Sequence, residues 1–177
     1  VRNVGVKDGK IVIITEGKIS GKETINAKGH VVAPGFIDSH QHATDPFSRK
    51  VNLRDGLTTQ MDFEAGAGDI AKWYAEAEGK TQANYGMVVL ALLGRGMVLD
   101  GPEVVADAND MGGLFPMVGR AAAKAEKEGR KPGWTATLPN KEEMTQIMAF
   151  VDEGLRQGAL GVGIPVGYMT TGVTQYE

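Results

Sequence analysis

The pattern of apolar and polar positions along this chain switches between the period of a strand and the period of a helix, and each switch predicts an element. Val4 to Ile14 reads as strand, turn and strand with the turn at Asp8-Gly9, and Glu23 to Ala27 as a further short strand. Val31 to Ile37 reads as a buried strand broken by Pro34-Gly35 and running on to about Ser39. Asp45 to Arg54 is a short helical or loop connection, and Leu57 to Glu64 is the next strand. Asp69 caps a helix whose Ile70, Trp73, Tyr74 and Ala77 recur on one face. Met87 to Leu93 is continuously apolar, as strands buried on both faces are. Asn140 to Glu143 has the form of a capping box and opens a helix with Met144, Ile147, Met148, Val151 and Leu155 on one side. Ala159 to Ile164 closes the series as a strand. Strands alternating with helices in this way predict a parallel α/β sheet.

Between Gly94 and Pro139 the pattern weakens. This stretch is far longer than the roughly 2–6 residues of an ordinary βα connection. It holds one predicted helix, Val118 to Glu128, between Gly- and Pro-rich flanks. It reads as an inserted loop/helix segment, either a lid or substrate-recognition loop or a solvated insertion or oligomer contact.

The chemistry is concentrated in the run from Ala33 to His42, Ala-Pro-Gly-Phe-Ile-Asp-Ser-His-Gln-His. Residues two apart on a strand point to one face, so His40 and His42 aim two imidazoles at one point, as a divalent metal requires. Asp38 shares their face and is placed to fix an imidazole's orientation. Exposed histidine pairs are common; the Pro-Gly-Phe-Ile-Asp frame makes this one specific. On the following strand Thr58, Gln60, Asp62 and Glu64 share one face, while Leu57, Thr59, Met61 and Phe63 share the other. The apolar face suits packing against helices, which turns Gln60, Asp62 and Glu64 inward. Glu64 is a candidate metal ligand or substrate contact. His30 precedes the motif in what reads as a surface turn and is not expected to be a ligand. Trp73 and Tyr74 read as packing residues.

Composition narrows the classes. A formal net charge of −3 offers no basic footprint for nucleic acid. No apolar run approaches the roughly 18 residues of a membrane span. The absence of cysteine excludes disulfides and thiolate ligands. Gly161-Val-Gly-Ile-Pro-Val-Gly lacks the Lys-Ser/Thr ending of a phosphate loop, and its glycines are expected to permit close backbone packing. A cytoplasmic enzyme is the expectation, with secretion left open because the chain begins at Val1 without a methionine.

The Pro34 to His42 motif resembles that of the amidohydrolase superfamily, metal-dependent hydrolases on a distorted TIM barrel whose first strand carries it. Val4 to Val12, Asn26 to Gly35 and Arg54 to Thr59 are similar to the small β-subdomain, its junction and the second barrel strand of such enzymes. Trp73-Tyr74, Gly79-Lys80, Asn84-Tyr85-Gly86 and the Glu153 to Gly163 run resemble most the N-acyl-D-amino-acid deacylase, or D-aminoacylase-like, branch. Little between Gly101 and Pro139 carries the likeness.

The resemblance implies residues 1–30 as part of the β-subdomain and 31–177 as the N-terminal half of the barrel, with the insertion at about 94–139. A TIM barrel takes roughly 250 residues, so 177 residues predict a stretch of a longer enzyme. The general base and further ligands are expected on later strands. Four strands with open edges predict self-association or poor solubility of the chain alone. The implied cofactor is zinc or another divalent metal, one or two ions. The implied reaction is hydrolysis of a linear amide, the deacylation of N-acyl-D-amino acids. In related deacylases a cysteine near Glu64 is a metal ligand, so Glu64 stands where a carboxylate takes over that role. Arg95, after the third barrel strand, is placed to meet a substrate carboxylate. Tyr168, past the fourth, is placed to line the acyl-amino-acid pocket. Hydantoinase-like and dihydroorotase-like members use a carboxylated lysine at the end of strand four, and Gly158 to Glu177 contains no lysine. The alternatives are another amidohydrolase, a cyclic imidase or a dipeptidase, and a metal-free scaffold of the same fold.

Overall fold

The computed structural model describes residues 1–42 and 45–168. The chain forms two compact units, Val1–Pro34 and Gly35–Glu177.

In the first unit β1 (Asn3–Lys7) and β2 (Lys10–Thr15) form an antiparallel hairpin. Its turn residues Asp8 and Gly9 both take positive φ, 50° and 72°, the conformation a two-residue turn needs to match the twist of its strands. Glu23 to Ala27 forms no strand, contrary to the expectation from its pattern. A strand exists by virtue of a ladder partner, and the hairpin is the only sheet of this unit.

The second unit is a four-stranded sheet curled into a half-barrel. Its strands are β3 (Phe36–Asp38), β4 (Leu57–Ala67), β5 (Asn84–Leu90) and β6 (Val162–Gly163), parallel and in chain order. It is a partial TIM barrel, as the alternating pattern predicts. Helices α1 (Pro46–Arg54) and α2 (Ile70–Ala77) connect β3 to β4 and β4 to β5. The helix α6 (Lys141–Arg156) leads into β6. Asp45 caps α1 and Asp69 caps α2, and Asn140 and Glu143 close a full capping box at α6. Ile70 and Trp73 of α2 and Val151 of α6 bury against Ala67, Met87 and Val89. On α6 the predicted apolar face is only half used: Ile147 and Val151 are buried, while Met148 and Leu155 are exposed. Among the described residues no helix is long and apolar enough to cross a membrane.

Two expectations change. The first barrel strand begins at Phe36, not Val31, and is not buried: Phe36 is 61% and Ile37 68% exposed, because β3 is an edge with one neighbour. Val162, Ile164 and Val166 are likewise exposed at the opposite edge. The stretch from Gly94 to Pro139 holds more helix than the one segment expected. It is built from α3 (Ala91–Leu99), α4 (Met111–Lys127) and the single turn α5 (Gly133–Ala136). Leu92, Leu93, Val104, Met117, Ala121 and Trp134 give it a core of its own. Met117, Ala121 and Ala125 fall four apart on the buried face of α4, which is capped by Asp110 and runs on through Pro116.

Candidate metal centre

The site grows from a break in the ladder between β4 and β5. Asp62 pairs with Met87, but the next paired residues are Ala67 and Val89, so β4 spends more residues than its neighbour. Such a bulge re-aims side chains and takes backbone N–H groups out of the ladder. Gly66 lies in it at φ 67°, and a Cβ there would stand 2.4 Å from the Val88 carbonyl oxygen. The freed N–H groups of Glu64 and Ala65 donate to Oδ1 of Asp62, at 3.0 and 2.8 Å. The other oxygen, Oδ2, lies 2.8 Å from Nδ1 of His42. Asp62 is 2% exposed. One buried carboxylate thus shapes the bulge and holds the histidine ring.

Past β3 the chain continues beside β4. Ser39 accepts from Phe63 N–H, Gln41 N–H donates to Met61, and His40 bridges to Asp62. This carries His40 and His42 to the inner side, level with Glu64. Their Nε2 atoms stand 3.4 and 3.2 Å from the same oxygen of Glu64, Oε2. The rings meet edge to face, 5.0 Å between centres. Gly163 of β6 packs against this strand, where a Cβ would fall 2.7 Å from the Glu64 carbonyl oxygen. Of the glycine run only Gly163 packs this closely: a Cβ at Gly161 would meet its nearest atom at 3.7 Å and one at Gly167 nothing within 4 Å.

These residues fit a divalent ion. Ligand atoms of His40, His42 and Glu64 lie within 4.8 Å of one another. Ligands bound tetrahedrally at about 2.0–2.2 Å stand about 3.3–3.6 Å apart, close to the nitrogen-to-oxygen separations here. His42 has Nδ1 engaged by Asp62, which leaves Nε2 to face the site, the carboxylate–histidine arrangement common to metal-binding histidines. Nitrogen and carboxylate oxygen suit zinc and its neighbours better than a hard cation that prefers oxygen alone.

The remaining candidates fall elsewhere. Asp38 does not hold an imidazole: its Oδ1 accepts the backbone N–H of His40, at 3.0 Å. Asp62, on the neighbouring strand, takes the role expected of Asp38. Its position on the inner face of β4 was the available signal. Arg95 is not a substrate contact. It is 0% exposed within α3, and it donates to the carbonyls of Trp134, Thr137 and Gly133 at 2.8, 2.7 and 3.3 Å. Burial presses its guanidinium below its ordinary pKa, with Asp100 opposing. Tyr168 ends a 3-10 turn, Val166–Tyr168, and its side chain lies outside the described part of the structure. His30 belongs to the first unit, its Nδ1 lying 3.2 Å from the Lys28 carbonyl oxygen. Trp73 and Tyr74 are packing residues as expected, 5.1 Å apart between ring centres.

Comparison with known proteins adds the chemistry of relatives. No protein-family model matches the chain, and no solved structure is a significant match. A dihydroorotase from Methanothermobacter thermautotrophicus is 45% identical over 65 residues, 37% of this chain and 13% of that protein. A D-hydantoinase from Ralstonia pickettii is 32% identical over 122 residues, 59% of this chain and 27% of that protein. An allantoinase from Bacillus licheniformis is 49% identical over 43 residues, 24% of this chain and 10% of that protein. The chain spans well under a third of the length of these curated relatives. The three relatives named here are thus amidohydrolases of the cyclic-amidase kind, not N-acyl-D-amino-acid deacylases.

Proposed function

We propose that this chain carries part of the metal centre of a hydrolase that opens a cyclic amide. The observation that carries the reading is the convergence of His40 Nε2, His42 Nε2 and Glu64 Oε2 at the inner end of β4. The names of the relatives support the cyclic substrate class over a linear one. His40, His42 and Glu64 would hold the ion, zinc being the best match to the donors. A divalent ion bound there lowers the pKa of a water toward about 7 and polarises a scissile carbonyl. Asp62 keeps the His42 ring oriented and its Nε2 available. The His40 side chain is 64% exposed. One or two ions, a small-molecule amide as partner and no nucleic acid complete the proposal.

A second reading, deacylation of N-acyl-D-amino acids, draws on a different observation. Gly158 to Glu177 has no lysine, the residue that hydantoinase-like enzymes carboxylate at the end of the fourth barrel strand. Glu64 then stands as the carboxylate of the site.

Elemental analysis of the purified chain, beside the His40→Ala/His42→Ala variant, tests the centre: near-stoichiometric zinc in the wild type alone is expected. Hydrolysis of a 5-substituted hydantoin and of dihydroorotate, set against N-acetyl-D-glutamate, by a zinc-loaded enzyme that carries this segment together with the later barrel strands tests the substrate class. Faster turnover of the linear amide would overturn the cyclic reading in favour of the second. Equal metal in wild type and variant would overturn the centre itself.

A further inference from the structure

His40 and His42 stand past the end of β3, the edge strand of the half-barrel. Among the described residues, two backbone hydrogen bonds tie their segment to β4: Phe63 N–H donates to Ser39 and Gln41 N–H to Met61, both at 3.0 Å. Few backbone bonds at a sheet edge mean low local stability. A metal centre asks for the opposite, ligands held to within about 0.5 Å of the productive geometry. The residue between the two histidines supplies a further tie.

Gln41 is 9% exposed, although His40 before it is exposed. Its side-chain Nε2 donates to Oε1 of Gln60, at 3.3 Å. Gln60 is buried as well, and its own Nε2 donates twice, to the carbonyl of Arg49 in α1 at 3.0 Å and to that of Leu57 at the start of β4 at 3.1 Å. A primary amide carries two N–H donors and one carbonyl acceptor. With both donors spent on carbonyls, which only accept, the Gln60 amide has one orientation, and its oxygen is turned to Gln41. Two buried side chains thus run a line of hydrogen bonds from α1 to the residue between the histidines. Replacing both members of such a pair by apolar groups of the same shape leaves stability nearly unchanged. The return on burying two amides here is therefore a fixed position, not stability.

We propose that Gln41 and Gln60 are a positioning pair for the metal centre. Their amide line holds residues 39–42 so that the Nε2 atoms of His40 and His42 are gathered at Glu64 before an ion arrives. Asp62 orients the His42 ring, and the glutamine pair holds the backbone that carries both rings. Neither glutamine touches the ion. The inference rests on the metal-centre reading and assigns part of the site's affinity to residues outside its ligand set.

The test is titration of the metal-free chain with cobalt(II), followed by its visible absorption, in the wild type, Gln41→Met, Gln60→Met and the double variant. Methionine keeps the length of the side chain and removes the amide. Each single variant is expected to bind cobalt about five- to tenfold more weakly, the worth of about one hydrogen bond. The double variant is expected to lose no more than the weaker single, because the pair acts as one device. Its urea midpoint in the metal-free state should stay near that of the wild type, while hydrogen exchange at Phe63 N–H and at the N–H of position 41 accelerates. Gln41→Met leaves the bonds of Gln60 to α1 and β4 in place, so it decides the question should Gln60→Met fail to fold. Wild-type cobalt affinity in the single variants would overturn the pair and leave the centre standing, even if exchange were faster. Losses that multiply in the double variant would overturn it too. A wild-type chain that takes no cobalt, or takes it equally after His40→Ala/His42→Ala, would overturn the centre and this inference with it.

Discussion

Two buried aspartates, Asp62 and Asp100, show the same group put to opposite ends. Asp62 is 2% exposed and spends Oδ1 on the backbone of its own bulge, while Oδ2 reaches a histidine whose other nitrogen faces the open site. Asp100 is 1% exposed and spends everything inside the fold: Gly133 N–H and Trp134 N–H at 2.7 and 2.8 Å, and Arg130 at 2.8 Å. The first cluster ends in unspent ligand atoms, the second in none. Burial and charge therefore do not mark a functional site. What marks it is donor or acceptor capacity left over once the fold has been satisfied.

The largest effect that tests the contrast is loss of the metal. His40→Ala, at an exposed position, is expected to abolish stoichiometric zinc while shifting metal-free stability by no more than about 1 kcal/mol. A large loss of metal-free stability would show that this histidine too is spent on the fold.

Asp100→Ala comes next. Removing one partner of a buried, paired charge costs about 3–5 kcal/mol, and urea denaturation should register it. Hydrogen exchange at Gly133 and Trp134 should accelerate, since their N–H groups lose the carboxylate they donate to. A neutral outcome would mean that the helical insertion does not depend on this anchor.

Asp62→Asn should be milder for the fold and specific for the site. The amide oxygen still accepts the bulge N–H groups, but the negative charge behind His42 is gone. Metal affinity is expected to fall about 10- to 100-fold, as when a partner behind a ligand is altered, and metal titration of the variant checks it. Affinity equal to the wild type would detach Asp62 from the centre.

The smallest effect belongs to an exposed pair. Lys124 donates to Glu103 and holds its carboxyl below the usual range. A carboxyl depressed in the folded state adds stability above its unfolded pKa and loses it as pH falls through the folded value. Glu103→Gln should lower the melting temperature slightly near neutral pH and match the wild type in strong acid. A difference that persists in acid would trace to packing instead of charge.

The half-barrel was legible because each unit declares itself locally. The patterns placed four barrel strands in order but bounded only β4 closely. Ala91 to Leu93, expected in the third strand, open α3, and β6 keeps only Val162–Gly163 of the expected Ala159 to Ile164. Asp69 and the Asn140–Glu143 box marked helix starts, since a cap is a bond between near neighbours in sequence. The helical insertion was harder to read. Gly112, Gly113 and Pro116 suppress the signal of α4's first two turns, and the residues that fold it back, Arg95 and Asp100, act on partners more than thirty positions away. The assignment of imidazole partner to Asp38 failed for a related reason. Asp38 shares a strand face with the histidines, but the neighbouring strand brings Asp62 closer.

By itself the sequence determined the half-barrel alternation and set His40 and His42 on one face, because strand period alone aims side chains two apart in one direction, and it left Glu64 as a candidate ligand or substrate contact on the next strand. Only the tertiary structure decided that Asp62 supports His42, that Arg95 is consumed within the insertion, and that Gln41 reaches Gln60. Those outcomes depend on register between strands, on the bulge in β4 and on which carbonyls burial leaves to be satisfied. Each is a relation between distant segments, and no local pattern encodes it.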